Sequence, residues 1–193
     1  MNILAINGSA KKNGTIDTAL QSVLRYAAKN GHKIDIIDLK SLNLKNCQGC
    51  FACQKKGACI YRDDIEPVEK KIIDANLLVF GTPTHWGNMS GLMLSFFERL
   101  FGFFIQEQEK GVPKKRAANG KKVMIITACS TPFPFNIFFN QSRACISRLR
   151  EICRYSGIKI VGTHCIADPF HNGIKKDLNT IEHKATRILK RIQ

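Results

Sequence analysis

The chain has 193 residues, 44% of them hydrophobic and 23% charged, a composition that excludes disorder and predicts one domain with a sizeable core. Thirty Lys and Arg against 15 Asp and Glu give a formal net charge of +15, which leaves anionic partners open, phosphorylated cofactors and nucleic acid among them. Pro132 to Gln141 is too short and too rich in Pro, Asn and Gln to span a bilayer, and Met1 to Ile6 lacks the basic region of a secretory signal. No membrane partner is therefore expected. Eight cysteines in such a chain are expected as thiols or metal ligands in the cytoplasm.

Asn2 to Ile6 is an apolar run stopped by Asn7-Gly8-Ser9, which predicts a buried parallel strand. From Thr15 the period changes: Ile16, Ala19, Leu20, Val23, Leu24 and Ala27 share a helical face, and Asn30-Gly31 ends it. Ile34 to Leu39 reads as a second strand, and a cysteine-rich loop (41–62) follows. Asp63-Asp64 then places acid at the positive end of a helix over Ile65 to Ile73. Leu77 to Phe80 is a third strand, stopped by Gly81-Thr82-Pro83, and Ser90 to Phe101 is a helix that is apolar nearly all round. A polar, basic insertion (102–121) leads to a fourth strand at Val123 to Thr127 and an aromatic segment, Phe133 to Phe139. Arg143 to Tyr155 is a helix, Ile158 to His164 a fifth strand, and Ile174 to Leu189 a last amphipathic helix. Alternating strands and helices over 1–193 predict one α/β domain, a doubly wound five-stranded parallel sheet of flavodoxin-like order 2-1-3-4-5 with helices on both faces. Ligands of such sheets bind beyond the carboxyl ends of the strands, which directs attention to the loops after strands 1, 3 and 4.

The first loop, Asn7 to Thr15, has two glycines, two hydroxyls and two lysines and opens into a helix. Free N–H groups at a helix start bind anions, Ser9 and Thr15 can donate, and Lys11 can offset charge. It lacks the Gly-Lys-Ser/Thr ending of a P-loop and the Gly-x-Gly-x-x-Gly of a dinucleotide fingerprint. A plain turn with an N-cap threonine is the structural alternative. The second loop, Gly81 to Gly91, sets the only tryptophan, Trp86, beside His85; it can stack on a planar ring or simply pack. The third, Thr127 to Pro132, has small residues that let a flat ligand approach the backbone.

Together these loops resemble those of the flavodoxin-like NAD(P)H-dependent FMN reductases, with Gly8 to Thr15 similar to the phosphate loop and Pro83 to Gly91 to the first isoalloxazine loop. Ser95-Phe96-Phe97-Glu98-Arg99 resembles the helix that follows. The resemblance implies FMN, with Ser9, Lys11, Asn13, Gly14, Thr15 and Ile16 at the phosphate. It implies Pro83, Thr84, His85, Trp86, Gly87 and Asn88, and Thr127, Ala128, Cys129 and Ser130, at the ring. Lys11 stands where the family often has Arg, and Ile16 where it often has Thr. The flavin carries the chemistry, so no catalytic acid or base is assigned.

Cys47, Cys50, Cys53 and Cys59 follow the spacing C-x2-C-x2-C-x5-C, and soft thiolates at such steps favour an iron–sulfur cluster or zinc. A disulfide or unliganded thiols are the alternatives. The motif resembles the iron–sulfur flavoprotein branch of the same family. That resemblance implies a [4Fe-4S] cluster on these four residues, in a homodimer or homotetramer where cluster and flavin exchange electrons. Cys129, Cys145, Cys153 and Cys165 have no ligand spacing, and packing is expected for most of them.

Lys110 to Lys122 holds six basic residues and no acid, readable as a lid for an anionic nicotinamide cofactor or acidic redox partner, or as a solvated face. No nucleic-acid-binding motif accompanies the charge, so no nucleic-acid partner is expected. The favoured reading is an FMN-dependent oxidoreductase passing electrons between FMN and a [4Fe-4S] cluster, with a ferredoxin-type or small-molecule donor and acceptor. The alternatives are a cluster-free NAD(P)H-dependent FMN or quinone reductase and, in another class, a metal- or redox-responsive binding module. The Phe101 to Phe104 and Phe133 to Phe139 segments are expected at buried interfaces.

Overall fold

The computed structural model describes residues 1–192. Five parallel strands form the central sheet: β1 (Asn2–Asn7), β2 (Lys33–Asp38), β3 (Leu77–His85), β7 (Lys122–Cys129) and β8 (Lys159–Ala167). Their spatial order is β2-β1-β3-β7-β8, the doubly wound order expected from the sequence, with the switch point between β1 and β3. β1, β3 and β7 are near-continuous apolar runs, as strands covered on both faces must be.

Helices α1 (Thr15–Lys29) and α9 (Lys175–Ile192) cover one face, where Ile16, Leu20, Val23, Ile181 and Leu189 pack onto Ile3, Val79 and Ile126. On the other face lie α3 (Ile65–Asp74), α4 (Gly91–Arg99) and α7 (Gln141–Ser156), with Phe96, Phe97, Leu100, Cys145, Leu149 and Cys153 packed onto Leu4, Phe80 and Ile125. Cys145 and Cys153 are thus core residues, and burial pushes their thiols up to about 11 and about 12.

Three elements depart from expectation. β3 continues past Gly81-Thr82-Pro83, because Thr82 and Pro83 pair with Thr127 and Ala128 of β7. Thr84 and His85 then fold back on β4 (Asn88–Met89) through a two-residue turn in which Trp86 and Gly87 have φ of 51° and 73°, the left-handed geometry that a tight hairpin requires. The insertion does not begin polar. Phe101–Phe104 is a short helix, α5, and Phe103 and Phe104 are buried in the chain's own core rather than at an interface. A hairpin of β5 (Ile105–Gln106) and β6 (Lys114–Lys115) follows it. The cysteine-rich loop contains α2 (Ala52–Lys56). By contrast Phe133, Phe138 and Phe139, around the short helix α6 (Phe135–Phe138), are exposed. Among the described residues no helix is long and apolar enough to cross a membrane.

Candidate flavin site at the strand ends

The loops after β1 and β3 are bonded to each other before any ligand is considered. Gly8 N–H donates to the Gly81 carbonyl at 2.7 Å, and Ser90 Oγ donates to the Gly8 carbonyl at 2.6 Å. Ser90 also caps α4, accepting from Met93 N–H at 3.2 Å. Gly8 is required here, since a Cβ would lie 3.0 Å from Met93 side-chain atoms and 3.2 Å from the Gly81 carbonyl oxygen.

The first loop wraps the start of α1. Asn7 Nδ2 donates to Asp38 at 2.7 Å and its oxygen receives Ser9 N–H at 3.0 Å, so the second strand fixes the loop's entry. Asn13, with φ of 55°, donates its N–H to Asp17 at 2.7 Å. The N-cap of α1 is Gly14, not Thr15, and it supplies no side-chain cap. The first-turn N–H groups are thus left without a side-chain cap beside Ser9 and Lys11, as an anion site requires.

Beside this turn lies a cavity of about 370 Å³, within the range of about 300–1,000 Å³ usual for small-molecule sites. Of the residues implicated by sequence, Ser9, Lys11, Gly14, Thr15, Ile16, Pro83, Thr84, His85, Ala128, Cys129 and Ser130 line it. Asn13, Trp86, Gly87, Asn88 and Thr127 do not. Trp86 is fully exposed on its turn, which removes the packing alternative for it. Thr127 is fully buried in β7. Sequence reasoning missed Pro169 and Phe170, which open α8 (Pro169–Asn172) and close the far wall. The one available signal was Asp168-Pro169 at the carboxyl end of the fifth strand. Asp168 N–H donates to the Cys129 carbonyl at 2.8 Å and ties this wall to the third loop.

Thr84 lines this cavity, and its Oγ1 is buried beside the Cys145 thiol with no hydrogen bond to a protein nitrogen or oxygen. A buried hydroxyl of that kind is satisfied by a polar ligand edge. An anion-binding helix start, a mostly apolar slot and a buried hydroxyl together fit a phosphorylated planar cofactor.

The cysteine loop is different. Cys47 and Cys50 are exposed, Cys53 and Cys59 partly buried. Among the described residues no three or more His, Cys, Asp or Glu side chains are grouped so as to hold a metal ion, so the four thiols are not gathered as the cluster reading expects. The physical reason is support: Cys47 and Cys50 lie on irregular chain, and only Cys53 sits on a helix, α2. Burial raises the Cys53 thiol, and the nearby Cys59, Cys47 and Cys50 raise it further, against a hydrogen bond with the Gly102 backbone. Arg116 of the insertion holds α2 in place, donating to the carbonyls of Cys53 at 3.1 Å, Gln54 at 2.9 Å and Gly102 at 2.7 Å. At the loop's other end the fully buried Arg99 forms a bidentate pair with Asp63, at 2.6 and 3.0 Å. The insertion is thus a brace for the cysteine loop, and none of its residues lines the flavin-sized cavity.

The sheet and its strand-end loops together define a flavodoxin-like domain with a ligand-sized pocket at its switch point. The chain belongs to the NADPH-dependent FMN reductase family, whose model matches residues 1–171. It is similar to an "Iron-sulfur flavoprotein" of Archaeoglobus fulgidus, 41% identical over 99 residues, covering 51% of this chain and 48% of that protein. A Clostridioides difficile protein of the same description is 36% identical over 106 residues, covering 51% and 45%. The chain thus spans about half the length of the curated relatives it matches. In fold it resembles an NAD(P)H:quinone oxidoreductase from Methanothermobacter marburgensis, with a TM-score of 0.78 at 14% identity over 100% of this chain and 99% of that one. An FMN-dependent NADH-azoreductase from Bacillus anthracis, solved with FMN, has a TM-score of 0.68 at 13% identity over 97% and 99%.

Proposed function

We propose that the protein uses FMN to accept hydride from NADPH or NADH and to reduce a small acceptor such as a quinone or a second flavin. The observation that carries this reading is the cavity of about 370 Å³, walled by three cross-bonded strand-end loops and closed at one end by the uncapped start of α1. Bound FMN would supply the hydride- and electron-accepting ring. The chain's own groups position it. Ser9, Lys11 and the N–H groups of Thr15 and Ile16 receive the phosphate, with Asn13 and Gly14 shaping their turn. Pro83 to His85 and Ala128 to Ser130 flank the ring, with Thr84 Oγ1 as one hydrogen-bond partner and the Phe170 side as a wall that excludes water. Trp86 to Asn88 form the turn at the rim. A tryptophan held fully exposed at φ 51° adds nothing to the core, and its position suits covering by a ligand or a second copy. Exposed Phe133, Phe138, Phe139 and Phe170 support the homo-oligomer reading in the same way. The protein is expected in the cytoplasm.

The test is an absorption spectrum of the purified protein followed by anaerobic titration with NADPH. A flavin spectrum that bleaches on titration supports the reading. Protein that stays colourless after incubation with FMN overturns it.

A second reading keeps a [4Fe-4S] cluster on Cys47, Cys50, Cys53 and Cys59, fed by a ferredoxin-type donor. It is supported by the spacing and by the names of the relatives above. Iron analysis after anaerobic purification separates the two. About four irons per chain, lost in Cys50→Ser, favours the cluster. Iron-free protein with full FMN after anaerobic reconstitution favours hydride transfer alone.

A further inference from the structure

A second cavity, about 950 Å³, runs along the free edge of β8 between α7 and α9. Arg143, Arg150, Lys176 and Lys184 line it; its one carboxylate, Asp177, is engaged by His164 at 2.7 Å. Lys184 Nζ donates to the Thr163 carbonyl at 2.8 Å and to His164 Nδ1 at 3.2 Å, so the other three cations carry the free charge. The cavity is therefore cationic, and none of its function is explained by flavin binding.

Cys165 opens into this cavity, and its sulfur lies 3.9 Å from that of Cys129, which lines the flavin-sized cavity on the other side. The two sulfurs share Asn136 and differ in their other neighbours. Cys129 Sγ lies 3.5 Å from the Thr131 carbonyl. Cys165 faces the amide Nδ2 of Asn136 at 4.0 Å, a donor that favours its thiolate. Hydrogen bonding from Cys129, aided by Thr127, Ser142 and Asn136 and opposed by burial, draws the Cys165 thiol down to about 6, while Cys129 is pushed up. An independent feature points to a ligand. Asn136 is 4% exposed and lines the same cavity, yet its Oδ1 has no hydrogen-bond partner.

We propose that Cys165 is a thiol-exchange site for small, net-anionic disulfides that carry peptide N–H groups. The Cys165 thiolate attacks one sulfur of the disulfide. A new S–S bond forms to that sulfur as the old one breaks, and the other half leaves as a thiolate that takes its proton from water. The oxidation level of the disulfide passes to the mixed disulfide, so no further oxidant is needed. The cations Arg143, Arg150 and Lys176 receive the carboxylates, and Asn136 Oδ1 receives a peptide N–H. The product is a mixed disulfide at Cys165. Cys165 stands opposite Thr127 and Cys129 opposite Ala167, so the two cysteines are diagonal on adjacent strands.

The experiment incubates the reduced, FMN-loaded protein at pH 6.5 with glutathione disulfide and, separately, with neutral bis(2-hydroxyethyl) disulfide, and follows each cysteine by peptide mass mapping. Cys165 is expected to react with glutathione disulfide about tenfold faster than the exposed Cys47 and Cys50. The paired substitution Arg143→Ala with Arg150→Ala is expected to slow that reaction about tenfold while the neutral reagent changes by less than about twofold. Distortion of the site would slow both reagents alike. Cys165 left unlabelled, or equal loss with both reagents, overturns the proposal, whatever the outcome for FMN.

Discussion

The flavin end and the cysteine loop occupy neighbouring parts of one molecule and are built by opposite rules. At the flavin end each wall is the continuation of a buried strand, and the walls are bonded to one another, Gly8 to Gly81, Ser90 to Gly8 and Asp168 to Cys129. The cysteine loop hangs between two clamps, Arg99 with Asp63 at one end and Arg116 at the other, and Cys47 and Cys50 between them are exposed. A site carried on strand ends is shaped before its ligand arrives, whereas a site carried on a loop must be gathered by whatever binds it. That contrast explains why most of one candidate site is brought together while the other stays open.

The sharpest way to break the contrast is to release the loop at its buried clamp. Arg99→Met leaves the Asp63 carboxylate unpaired at 6% side-chain exposure. The expected loss is about 3–5 kcal/mol of folding stability, read from urea denaturation. The same pair sets an acid limit. Burial pushes the Asp63 carboxyl up, but hydrogen bonds from Arg99, Lys45 N–H and Ile65 N–H outweigh it and hold the group below its ordinary range. Its stabilisation is thus fully present above the unfolded value of about 3.9 and is lost as pH falls through the lower folded value. The urea midpoint of the unaltered protein should fall below about pH 4 more steeply than that of Asp63→Asn.

A smaller break targets the other clamp. A Cβ on Gly102 would lie 2.5 Å from Cys53 Cβ and 2.9 Å from its carbonyl oxygen, so Gly102→Ala must push α2 outward. About 1–3 kcal/mol of destabilisation is expected, together with faster labelling of Cys53 by a thiol reagent and unchanged FMN affinity. A change in FMN affinity larger than that in Cys53 labelling would show that the two regions are not separately built.

How much of this was readable beforehand follows the same division. β1, β3 and β7 are written in apolar runs, the strand order follows from the alternation of strands with helices, and the anion-binding turn in Gly8 to Thr15 has its own composition. What escaped was set by contacts distant in sequence. β3 runs through Gly81-Thr82-Pro83 because β7 supplies partners for Thr82 and Pro83. Phe101 to Phe104 turns inward because the core has room for Phe103 and Phe104 beside Phe97. Pro169 and Phe170 reach the pocket only because β8 ends next to β7. The cysteine spacing was plain in the sequence, but spacing alone fixes no side-chain direction on irregular chain.

On the flavin side the sharpening test is Thr84→Val. It removes a buried hydroxyl whose protein neighbour is the Cys145 thiol. Folding stability without FMN should hold or rise slightly, while FMN affinity should fall about three- to tenfold, the worth of about one hydrogen bond. Equilibrium dialysis against FMN and thermal melting of the stripped protein read the two signs separately. Loss of stability without loss of affinity would assign Thr84 to the fold and leave the cavity without its proposed polar partner.

The smallest effect concerns the charge that first drew attention. Lys114 and Lys115 are exposed on β6, and their hairpin is pinned by Arg116 N–H to the Phe104 carbonyl at 2.9 Å and by the Arg116 side chain to α2. A lid over the flavin would need these lysines at the cavity, and none of residues 102–121 lines it. Exposed charges act over about one Debye length, about 8 Å at physiological salt. Lys114→Glu with Lys115→Glu should therefore change the KM for NADPH by less than about twofold at that ionic strength. An acidic one-electron donor that docks on the cysteine-loop flank would respond differently, slowing several-fold at low salt and recovering as salt is raised. Stopped-flow reduction of the flavin by each donor across a salt series separates these cases. A large, salt-dependent rise in the NADPH KM would restore the lid and join the two regions into one functional surface.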